Sequence, residues 1–147
     1  MLAWDPQTPH AGPLALGVHD EHYCLQTLTA LDDGRIISAG EADVSAGEAE
    51  SVVLWDSDLP DSGGYVRGMG TIDAMAALPG DRLITICPYK TPAQAEVTIW
   101  DMRTVKIIAE LRCPAVTSVA AVPAAPGGVL VVLAHADQGF TVCTAAE

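Results

Sequence analysis

Val97-Thr98-Ile99-Trp100-Asp101-Met102-Arg103-Thr104 is a β-branched run that closes on a Trp-Asp pair and then breaks into polar residues. Residues of that kind fit a pleated, half-buried surface, so the stretch predicts a strand followed by a turn. A second copy stands upstream as Ser51-Val52-Val53-Leu54-Trp55-Asp56-Ser57-Asp58, and a clipped third opens the chain as Leu2-Ala3-Trp4-Asp5. All three tryptophans of the chain therefore precede an aspartate. Such coincidence predicts an internal repeat.

Working outward, each copy is preceded by two more apolar runs joined by a turn. Cys24 to Leu31 passes through Asp32-Asp33-Gly34 into Arg35 to Gly40; Ile72 to Leu78 passes through Pro79-Gly80-Asp81 into Arg82 to Cys87; Val116 to Val122 passes through Pro123 to Gly128 into Val129 to Ala134. Two β-rich runs around a short Gly-containing turn predict a hairpin. Aligned, the three passes match Leu25 with Ile72 and Val116, Leu28 with Met75 and Val119, and Ala30 with Ala77 and Ala121. Alanine and methionine favour a helix over Ile72 to Leu78. The β-forming residues at the same places in the other two passes overrule it. Val105 to Leu111 is expected to form the strand after Trp100-Asp101, and Tyr65 to Gly68 the one after Trp55-Asp56. The interval from Trp4 to Trp55 is 51 residues, from Trp55 to Trp100 it is 45, and from Trp100 to Cys143 it is 43. Four short strands per pass at roughly 40–45 residues describe one propeller blade.

At this point the chain resembles the WD40-repeat family, over nearly its whole length. The resemblance implies an all-β fold, a partial WD40-type β-propeller of about three four-stranded antiparallel blades. It also implies a hydrogen-bonded set of Trp, a Ser or Thr one strand away, a His and a turn Asp. Ser38 with Trp55 and Thr85 with Trp100 fit that set, Trp4-Asp5 belongs to a blade that precedes them, and Asp137 matches the turn Asp of the third repeat. Asp56 and Asp101 complete the Trp-Asp pairs. His19 or His22 could serve the first repeat, while Gly68 and Arg112 stand near where a His is wanted later. Val132 is expected to replace the hydroxyl residue of the third repeat, and Cys143 its tryptophan.

The expected division is one WD40-repeat region over 1–147: the end of a preceding blade at 1–20, blades at 21–70 and 71–112, and a degenerate, incomplete blade at 113–147. Propellers close with typically four to eight blades. One chain therefore is not expected to close the ring, and a segment of a larger propeller or a ring of several copies is implied. Strands at both ends of the sequence favour the segment.

The chain carries 7 Lys+Arg against 19 Asp+Glu, a formal net charge of −12. That balance repels phosphate backbones and anionic lipid, so neither nucleic acid nor a membrane surface is an expected partner. The longest aliphatic run, Val129 to Ala134, is too short to span a bilayer as a helix, and no signal-peptide pattern opens the chain. Four scattered cysteines without a C-x-x-C pair suggest reduced thiols and a cytoplasmic protein.

No P-loop, nucleophile elbow or paired metal-binding motif is present in the sequence. Gly63, Gly64, Gly68 and Gly70 are explained by turns rather than by a phosphate cradle. His19, His22 and Cys24 lack a local fourth ligand for a metal. Glu41, Asp43, Glu48 and Glu50 populate a small-residue stretch expected to be a solvated loop, with docking of a basic partner as its functional alternative. The function expected is thus a non-catalytic scaffold for protein binding, with no cofactor. An enzyme or a metal- or small-molecule-binding propeller domain is the alternative.

Overall fold

The computed structural model describes residues 2–3, 14–15, 23–42, 52–56, 64–66, 69, 71–88, 91, 93–124, 128–137 and 139–145. These residues form an all-β, antiparallel structure, and no helix occurs among them. A two-stranded pair joins β1 (Leu2–Ala3) to β2 (Leu14–Ala15). Sheet 1 runs β3 (Tyr23–Ala30), β4 (Ile36–Ala42), β5 (Val52–Trp55) and β6 (Gly64–Tyr65). Sheet 2 runs β7 (Ala74–Leu78), β8 (Arg82–Pro88), β9 (Gln94–Asp101) and β10 (Lys106–Pro114). Sheet 3 runs β11 (Val116–Ala124), β12 (Gly128–His135) and β13 (Phe140–Ala145). In all three, each strand pairs with its neighbour in the chain. The third unit, expected to be incomplete, has three strands among the described residues.

The two-residue alternation of a strand sorts side chains onto opposite faces. In sheet 2 it separates two cores. Leu83 and Trp100 point to sheet 1 and join a cluster with Ile37, Ala39 and Val52. Ile84, Ile86 and Val97 point the other way and join a cluster with Val129, Val131 and Leu133 of sheet 3. Sheet 2 is therefore apolar on both faces, which explains why Leu83 to Ile86 reads as a nearly unbroken apolar run. The sheets also meet through their first strands, β3 against β7 and β7 against β11.

Turns depart from expectation in two places. Val105 lies in the turn before β10 rather than in the strand, with φ of +52°. A β-branched side chain is rarely found in that left-handed region. Glu41, expected in a loop, extends β4 and pairs with Cys24. Of the other readings, Trp4, Asp5, His19, His22, Asp43, Glu48 and Glu50 lie outside the described residues.

Candidate functional site

Trp55 and Trp100 occupy the same place in their sheets. Trp55 stands opposite Ile36 and Trp100 opposite Leu83. Two residues further along the facing strand are Ser38 and Thr85. That diagonal is within reach of a large aromatic side chain. The Trp55 indole N–H donates to Ser38 Oγ at 2.7 Å, and the Trp100 indole N–H donates to Thr85 Oγ1 at 2.9 Å. The Thr85 hydroxyl in turn lies 3.5 Å from the Thr98 carbonyl, to which it donates. Ser38 and Thr85 are fully buried, and the tryptophans are 3% and 6% exposed. An indole buried this far needs an acceptor for its N–H, and a hydroxyl meets the need without adding charge.

Sheet 3 carries no such pair. The register that sets Leu28 opposite Ser38 and Met75 opposite Thr85 sets Val119 opposite Leu133. The hydroxyl position is therefore held by Leu133, not by the expected Val132. The β11–β12 hairpin is longer than its counterparts, and an assignment one residue short points to the wrong face. Cys143, opposite Val131, does hold the place of the tryptophan. Beside it lies an apolar cleft of about 230 Å³ between sheets 2 and 3, lined by Ile84, Val97, Ile99, Leu111, Val131 and Cys143 among others.

The aspartates have other tasks. Asp101 accepts the backbone N–H groups of Arg103 at 2.8 Å and Thr104 at 3.3 Å, closing the turn after β9. The Arg103 N–H, foremost, holds its carboxyl below the usual range. Asp137 is exposed and accepts the Gly139 N–H at 3.2 Å. Asp56 follows β5, half-buried.

A cluster not foreseen in the sequence locks sheets 1 and 2 together at their turns. Asp81, at φ of +55° and 5% exposed, accepts the Asp33 N–H at 3.1 Å through one oxygen and Arg103 Nε at 2.8 Å through the other. Asp32 accepts the Gly80 N–H at 2.8 Å, and Arg35 Nη1 donates to the Met102 carbonyl at 3.2 Å. Gly80 itself sits at φ of +78°, where glycine carries no steric cost. Partial desolvation opposes ionisation of Asp33, but the N–H and guanidinium of Arg35 outweigh it and hold its carboxyl below the usual range. The contact joins residues 48 apart in the chain. No local motif announces such a contact.

Cys87, Cys113 and Cys143 are free thiols. Burial pushes the Cys87 thiol up to about 11, despite a hydrogen bond with Thr85 that acts the other way. Among the described residues, no group of three or more His, Cys, Asp or Glu side chains is placed to hold a metal ion. No protein-family model matches the chain, and no curated protein matches it in sequence.

Proposed function

We propose that the chain is part of a propeller of the WD40-repeat type and serves as a non-catalytic scaffold for protein binding. The observation that carries this is the indole-hydroxyl pair formed twice on the same diagonal of two consecutive four-stranded sheets. Contact between successive first strands supports it further, because blades arranged around an axis meet most closely at their inner strands. The step from such a fold to protein binding is one of analogy, since one architecture hosts many activities. What recommends it is rigidity: two hydrogen-bonded cores hold the turns in place, and fixed turns present side chains with little ordering cost on binding.

The test is selection of peptides from a displayed library on the immobilised chain, followed by thermal melting with the recovered peptides and, separately, with divalent cations. A ligand that binds only the folded state raises the melting temperature by mass action. Convergent peptides that bind saturably and raise it are expected. Stabilisation by a cation with no peptide recovered overturns the scaffold in favour of a metal-binding domain.

A further inference from the structure

The two contacts between sheets obey one rule. Sheet 2 turns its Trp100 face to sheet 1, and its other face receives sheet 3. Each sheet thus presents the face that bears the tryptophan position to the sheet before it and the opposite face to the sheet after it. Two faces keep large apolar side chains exposed. On sheet 1, the face shared by Ser38 and Trp55 includes Leu25 and Leu28 of β3, 49% and 53% exposed. On sheet 3, the face away from sheet 2 includes Val122 of β11 and Val142 and Phe140 of β13, 45%, 50% and 73% exposed. Large apolar side chains left in water on two complementary faces mark an association surface.

We propose that a second copy of this chain covers both faces, so that two copies join head to tail with β11 of each against β3 of the other. The proposal rests on the propeller reading. It continues the first-strand contacts, β3 to β7 to β11, into β3 of the partner. Farther along sheet 1, Val53 and Trp55 are already 3% exposed, which confines the new contact on that side to the first strand. A head-to-tail contact either closes or grows into a filament. Leaving aside the two-stranded β1–β2 pair, sheets 1 to 3 of two copies make six, which lies within the usual four to eight for a propeller.

Sedimentation velocity of the full 147-residue chain tests the proposal, together with Leu28→Glu and Val122→Glu. Both substitutions lie on exposed positions, and unchanged circular dichroism and melting temperature certify the fold. The wild type is expected at twice 15.3 kDa, and each variant alone at the single-chain mass. An equimolar mixture of the two is expected to recover the two-copy mass. In the mixed pair one contact carries both substitutions, while the other joins two unaltered faces. A single-chain wild type, an unlimited series of larger species, or a variant that keeps the two-copy mass alone would each overturn the head-to-tail ring. Failure of the scaffold reading is separate. Peptide binding measured on the single-chain variants reports on that reading whatever the assembly does.

Discussion

Sheets 2 and 3 solve the same packing problem with different side chains. Where sheet 2 sets Trp100 against Thr85, sheet 3 has Cys143 and Leu133 at the matching places of its ladder. The indole of sheet 2 is 6% exposed and belongs to the core shared with sheet 1. The thiol of sheet 3 borders an apolar cleft of about 230 Å³. Both sheets nevertheless form antiparallel ladders, each with one register irregularity, at Ile107/Ala109 and at Val116/Ser118. The indole-hydroxyl pair is therefore not what makes a strand trio pair; in sheet 2 its indole fills the space toward sheet 1.

The comparison fails outright if the two positions respond alike to truncation. Trp100→Ala is expected to cost about 3–5 kcal/mol in urea unfolding, as large buried aromatics do. Cys143→Ala should stay within about 0.5 kcal/mol, as exposed positions do. Thr85→Val keeps the shape of the side chain but leaves a buried N–H without its acceptor, so a loss of about 1–3 kcal/mol is expected by the same measurement. Ser38→Ala should fall in the same range if the two pairs are equivalent. The reverse experiment installs the pair in sheet 3. Cys143→Trp combined with Leu133→Thr should fill the cleft and raise stability by about 0.5–2 kcal/mol, visible as a higher melting temperature; a loss would mean that the two sheets cannot separate enough to admit the ring.

Smaller effects sharpen the same contrast. Val105→Gly, in the turn of sheet 2, should relieve left-handed strain and stabilise by about 1 kcal/mol in urea unfolding. Acid should act on the junction of sheets 1 and 2 through Asp33 and Asp101. Their folded-state pKa values lie below the ordinary 3.8, so the stability they contribute is complete above that value. It is lost as pH falls through the lower folded value. Protection of the Asp33 and Arg103 amides, measured relative to the intrinsic exchange rate at each pH, is expected to fall below about pH 4 before that of β12, because surface ion pairs contribute little each but act here as a group.

The sequence carried the strands because β-branched runs and Trp-Asp ends repeat. It also carried Ser38 and Thr85, through the resemblance to a family whose spacing they keep. Leu133 was hidden by the length of one hairpin: the difference between two strands is counted in residues, and an odd error exchanges core for solvent. Asp81 was hidden for another reason. It stands in a turn like any other, and only the approach of a turn 48 residues earlier turns its carboxylate into a bridge. Val105 reads as a strand residue by composition, yet the chain must reverse there after Asp101 has gathered the N–H groups of Arg103 and Thr104.

Strand order has a consequence for how the molecule comes into being. In each of the three sheets every ladder joins segments that are consecutive along the chain. Local pairing of this kind forms fast, because little chain entropy is spent on closing each loop. During synthesis, sheet 1 can zip as soon as β6 clears the ribosome, and sheet 2 then has a finished apolar wall on which to assemble. Sheet 3 arrives last, on a template already complete, so a chain halted anywhere after Pro114 would still own one intact interior.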